Sequence, residues 1–83
     1  MLQPNIISVQ ALEDYRLLLQ YENNELRIFD MKPYLHLPFY KPLTDISIFK
    51  TVRPVDDGWT IEWINGCDFP PEDLYNKSVL TAA

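Results

Sequence analysis

Residues 15–31, YRLLLQY-ENN-ELRIFDM, decide the fold. In YRLLLQY, Tyr15, Leu17, Leu19 and Tyr21 fall on one side of an extended chain, with Arg16 and Gln20 on the other. That period of two is the pattern of a half-buried strand. Glu22-Asn23-Asn24 follows, and Asn accepts the positive φ that a tight reversal needs. ELRIFDM, residues 25–31, then returns as a second strand. The two predict a β-hairpin.

Working outward, IISVQAL (6–12) is rich in β-branched residues and bounded by Pro4 and by Glu13-Asp14, so it reads as a further strand. Downstream the pattern breaks. Pro33, Pro38 and Pro42 are interleaved with Tyr34, Leu35, Leu37, Phe39 and Tyr40. Proline neither donates to a ladder nor sits inside a helix, which predicts an irregular but packed connection. Thr44 or Asp45 can cap a brief helix over 46–49, with Leu43, Ile46 and Phe49 on one side.

Residues 50–55 read as a strand whose Pro54 favours an edge. Asp57-Gly58 marks a turn, and WTIEWI (59–64) alternates, with Trp59, Ile61 and Trp63 on one face. After the Asn65-Gly66 turn, Pro71 suits a first helical position, and Glu72 and Asp73 complement the positive end of a helix. Leu74 and Tyr75 would turn this short helix onto the sheet. The fold class is therefore α+β: a small, mostly antiparallel sheet with one or two short helices packed on one face.

Length and composition bound the function. Eighty-three residues make one domain, 1–83, with an ordered core of about 5–76 and a tail, 77–83, expected to fray. A chain that is 47% hydrophobic and 23% charged has the balance of a globular domain. Seven Lys and Arg against twelve Asp and Glu leave a net charge of −5, which disfavours nucleic acid as a direct ligand. One Cys and one His exclude a disulfide framework and a structural zinc cluster. No apolar run is long enough for a membrane span and no signal peptide precedes the first strand, so a cytoplasmic location and no membrane partner are expected. Two Trp, five Tyr and four Phe offset the thin core of so short a chain.

No polar set has the spacing of a reactive centre. His36 sits between two leucines with no local partner to make it a general base. Cys67 lacks an adjacent cation or base, and Asp68 opposes a thiolate, so it reads as a small half-buried apolar residue. The pairs Asp56-Asp57 and Glu72-Asp73, with Asp30, Asp45 and Asp68, stand at turns and helix starts, where carboxylates serve structure. Two glycines cannot build a phosphate-cradling loop. Arg16, Arg27, Lys32, Lys41, Lys50 and Arg53 could make a local basic strip, but no helix-turn-helix pattern accompanies them. Catalytic, cofactor-binding and metal-ligating residues are accordingly expected to be none, and no cofactor is expected.

The aromatic strand Trp59-Ile61-Trp63 serves first as a core face. An indole left exposed there would anchor a protein interface, and an acidic surface would steer a basic partner to it. Trp59, Trp63, Tyr75 and Arg53 are the candidate partner-binding residues.

The ordered series Leu12, Asp14, Tyr15, Leu17, then Phe29-Asp30-Met31, then Leu43, Asp45, Phe49, and finally Trp63, Asn65, Gly66, Asp68, Pro71, Glu72, Leu74, Tyr75 resembles the short bacterial proteins of domain-of-unknown-function family 2442. The resemblance spans residues 6–75. It departs at the hairpin tip, where Asn23-Asn24 stands in for the usual Gly. It implies an α+β fold and no established activity. Some members resemble the front part of longer proteins with a helix-turn-helix behind them, and others a pair of toxin and antitoxin. A chain that ends soon after Tyr75 is expected to carry no such DNA-binding appendage itself.

Three functional expectations follow. The first is a non-enzymatic protein-interaction module, the regulatory or antitoxin-like member of a small protein pair, with a protein partner or a homodimer formed through edge strands near 50–55. The second is a small-ligand binder or weak enzyme using His36, Tyr34, Tyr40 and Asp68. The third is a sensor whose DNA-binding half lies on a separate chain.

Overall fold

The structure is a computed structural model, described over residues 3–81. Six strands and two helices alternate with 3-10 turns. The strands are β1 (Ile6–Leu12), β2 (Arg16–Tyr21), β3 (Leu26–Asp30), β4 (Arg53–Val55), β5 (Thr60–Glu62) and β6 (Val79–Leu80); the helices are α1 (Ile46–Phe49) and α2 (Pro71–Asn76). The first sheet has the order β1-β2-β3-β6 and the second pairs β4 with β5, all antiparallel. The α+β class is as the sequence implies.

The alternation of 16–21 is what buries the sheet; Tyr15, which the sequence places in the same strand, instead ends the 3-10 turn 13–15 with a positive φ of 58°. Leu17, Leu19 and Tyr21 project from β2 into the core and are at most 1% exposed. They meet Phe29 and Met31 from the β3 side, Leu43 and Phe49 around α1, Ile61 and Trp63 from the β5 segment, and Phe69 and Leu74 near α2. The proline-rich connection packs as two 3-10 turns, 32–34 and 41–44. Its aromatic rings join the core edge: Tyr34 stacks on Phe29 at 5.6 Å and meets Phe69 edge-on at 5.0 Å. Helix α1 is capped by Asp45, whose carboxylate accepts from Ser47 N at 3.0 Å and from the Ser47 hydroxyl at 2.6 Å. These bonds to the ionised form hold the Asp45 carboxyl below its usual range.

Four further details differ from the sequence reading. Strand β4 starts at Arg53 rather than Lys50, because Lys50 N and Thr51 N close α1 through the carbonyls of Ile46 and Ile48, both at 3.0 Å. Ile46 is exposed, since in this four-residue helix Phe49 is the side chain fully buried beside Leu43 and Ile48 is the one packed partly against the core. Trp59 has helical angles, φ −60 and ψ −45, and precedes the strand instead of opening it. Finally, Ser78 to Thr81 dock where a fraying tail is expected: Val79 pairs with Ile28, Leu80 pairs with Arg27, and Thr81 N donates to the Leu26 carbonyl at 2.9 Å. Of that expected tail, Ala82 and Ala83 lie outside the described residues.

Candidate interaction site

The exposed aromatic arises from an unusual turn. Between β4 and β5, Asp56, Asp57 and Gly58 all have positive φ, at 54, 58 and 87°. Asp tolerates this region better than most side chains, whereas the third position admits only glycine. Gly58 is buried with its α-carbon against Ile6: a Cβ there would overlap the Ile6 carbonyl oxygen and lie 3.0 Å from its nitrogen. The contact ties the turn to β1 at the point where the β1–β2 register shifts between Ile6 and Ser8. Trp59, the next residue, is left 40% exposed, and Ile7, inside the register shift, 56% exposed. Trp59 thus follows directly on a turn whose two aspartates, Asp56 and Asp57, are exposed.

The other three candidates are engaged within the chain. Trp63 is fully buried, stacks on Phe49 at 6.2 Å, and donates its indole N–H to the Phe49 carbonyl at 3.0 Å. It has no surface to offer a partner, because the turn at Gly58 takes Trp59 out of the strand and leaves Ile61 and Trp63 alone to face the core. Arg53 is exposed and bridges to Glu62 across the β4–β5 pair at 3.1 Å. Tyr75 meets Tyr21 edge-on at 4.9 Å and carries the Arg27 guanidinium 4.1 Å over its ring.

That last group is a closed network. The Tyr75 hydroxyl and Arg27 Nε both donate to Glu25 Oε1, at 2.5 and 3.1 Å, while Arg27 also reaches the Ser78 carbonyl at 3.3 Å. The hydrogen bond from Tyr75, followed by that from Arg27, holds the Glu25 carboxyl down to about 2. Burial works most strongly against the Arg27 charge, but the hydrogen bonds and charges of Glu25 and Tyr75 together outweigh it and the pKa rises. Burial also raises the phenol of Tyr21, whose hydroxyl is enclosed without a hydrogen-bond partner.

Glu25 therefore couples stability to pH. Its folded pKa lies below the unfolded value near 4.5, so its contribution is present above about 4.5 and is lost as pH falls toward 2. Glu25→Gln is expected to lower the urea midpoint at neutral pH and to flatten its decline across that acid window. Parallel declines for the two proteins would show that the network does not carry the acid dependence.

The residues of the small-ligand reading only partly meet. The Tyr40 hydroxyl donates to the Asp68 carbonyl at 2.9 Å, and burial, with the nearby Asp68 charge, raises that phenol to about 12. Tyr34 is edge-on to Tyr40 at 6.3 Å. His36 stays outside this cluster on the exposed part of the connection. Cys67 is more buried than a half-buried residue, at 5% exposure, with Sγ 3.2 Å from the Phe39 carbonyl oxygen. Among the described residues no three His, Cys, Asp or Glu side chains are grouped to hold a metal, and no helix is long and apolar enough to cross a membrane. An open groove of about 290 Å³ lies instead at the hairpin tip, between Asn23–Leu26 and Leu80-Thr81. It could not be read from sequence, because it exists only once β6 has docked.

The family model for "Protein of unknown function (DUF2442)" matches residues 6–79. The chain belongs to the DUF2442 family. No curated protein matches its sequence. Among solved structures, the DUF2442 domain is similar to "Putative DNA Binding Protein NE0471" from Nitrosomonas europaea, with a TM-score of 0.78 and 25% identity. The likeness covers 90% of this chain but 48% of that protein, so the chain spans about half the length of its neighbour.

Proposed function

We propose that this DUF2442 domain is a non-enzymatic protein-interaction module, the regulatory or antitoxin-like member of a small bacterial protein pair, with Trp59 as its anchor. The observation that carries this reading is a 40% exposed indole on a turn held against β1 by Gly58. A large aromatic presented by a rigid backbone is the usual centre of a protein interface, since little side-chain entropy is lost when it docks. The carboxylates of Asp56 and Asp57 beside it, and the net charge of −5, favour a partner segment that is basic and carries an apolar side chain. A cytoplasmic setting, the habitat of such pairs, belongs to the same reading.

Replacing Trp59 with a photo-crosslinking aromatic in the native host is expected to trap one basic protein. Trp59→Ala should weaken that complex by about thirtyfold, the effect of losing a hot-spot side chain, while shifting the melting midpoint by only a few degrees. Capture that is equally strong with Trp59→Ala would place the interface elsewhere.

A second reading is a sensor that acts with a separate DNA-binding chain, the role suggested by a neighbour of twice the length that is described as a putative DNA binding protein. It predicts retardation of DNA only when a second chain is present, because an acidic domain alone repels phosphate. Retardation by the domain alone would overturn both readings.

A further inference from the structure

The sheet has a second face that the core does not use. Paired residues of an antiparallel ladder project to the same side, and the register assigns three rows to the outer face. Leu12, Arg16 and Asp30 form the first; Gln10, Leu18, Ile28 and Val79 the second; Ser8, Gln20 and Leu26 the third. None of the apolar members of these rows belongs to the core or packs against it. Leu26 and Val79 are 39% and 69% exposed. A solvated sheet face normally alternates to polar residues on its outer side; here the central row is apolar across β2, β3 and β6.

We propose that this face is the interface of a homodimer, in which a second copy of the chain packs its own β1-β2-β3-β6 sheet face to face. The charge pattern selects this occupant. Arg16 and Asp30 are cross-strand neighbours of opposite sign, and no ion pair joins them among the described residues. Arg16 Nε is directed at the Glu13 carbonyl at 3.4 Å, and Asp30 meets Lys32 through Oδ1, so each keeps further donors or acceptors. A two-fold axis parallel to the strands and midway between β2 and β3 exchanges those strands. It sets Arg16 over Asp30 of the second copy, Asp30 over Arg16, and Leu18 over Ile28, with the sheets in the aligned packing that twisted sheets adopt. One surface is thereby complementary to itself in both charge and apolarity.

This interface is separate from Trp59 and requires no other protein. Three rows, of which the central one alone crosses all four strands, make a small contact beside the roughly 800 Å² per partner of a standard interface, so the dimer is expected to be weak, with a Kd of about micromolar.

The test is sedimentation equilibrium of the purified chain and of charge variants. The parent is expected to shift from monomer to dimer with concentration. Arg16→Asp and Asp30→Arg, each alone, set like charges across the axis and should weaken self-association by about tenfold or more. Mixing the two variants should restore it as a heterodimer, because each acidic position then meets a basic one. The mixture cannot repair a contact within a single chain, so restoration identifies a contact between copies. Leu26→Lys, at an already exposed position, should also yield monomer with an unchanged circular dichroism spectrum. A parent that stays monomeric to about millimolar concentration, or a mixture no more associated than its components, overturns the proposal. A dimer that Leu26→Lys leaves intact does the same.

Discussion

Gly58→Ala is expected to destabilise the domain by about 3 kcal/mol or more, and Gly58→Val to prevent folding. Two costs add. A side chain at φ +87 is strained whatever the space around it, and here the new Cβ meets the Ile6 backbone, which is held in register by β2. An 83-residue domain has a total stability of roughly 4–12 kcal/mol, so either loss is a large share of it. Gly66→Ala is the control. Gly66 also has a positive φ, +90, but nothing lies within 4 Å of its missing Cβ, so only the backbone strain of about 1–2 kcal/mol remains. Urea denaturation of both variants separates the contributions, and equal losses would show that the approach to Ile6 is unimportant. Because the same contact positions Trp59, any folded Gly58 variant should also lose partner capture.

Trp63→Ala should cost about 4 kcal/mol, the second large effect. Trp63 is the largest fully buried side chain, and its removal opens a cavity against Phe49 while leaving the Phe49 carbonyl without its donor. Trp63→Phe keeps much of the volume and loses the hydrogen bond, for about 1–3 kcal/mol. The matching change at the other tryptophan, Trp59→Ala, should stay within about 0.5–1 kcal/mol of the parent. A denaturant midpoint for Trp63→Ala as high as that for Trp59→Ala would contradict the assignment of one indole to the core and the other to the surface.

The two tryptophans also mark where sequence reading stops. Both stand at alternate positions of WTIEWI, and alternation alone assigns them to one face. They part because three successive residues before Trp59 turn left-handed, a conformation stabilised by the fit of Gly58 against a strand some fifty positions earlier. The C-terminal end is similar. Nothing near Val79-Leu80 predicts a strand, since its partner Ile28 is distant in the chain and the Arg27–Tyr75–Glu25 network that holds the segment in place needs both ends assembled. By contrast, the hairpin of 15–31, the Asp45 cap and the helix start at Pro71 were legible, because each depends on residues within a turn of one another.

From sequence alone follow the α+β class, the DUF2442 resemblance, and the buried stripe Leu17-Leu19-Tyr21, because local periodicity and turn chemistry act over a few residues. Which indole faces solvent, that Tyr75 and Arg27 clasp Glu25, and that the outer sheet face takes no part in the core were decided only by tertiary structure. Those outcomes depend on contacts between distant segments, and contacts of that kind leave no pattern in the neighbouring residues.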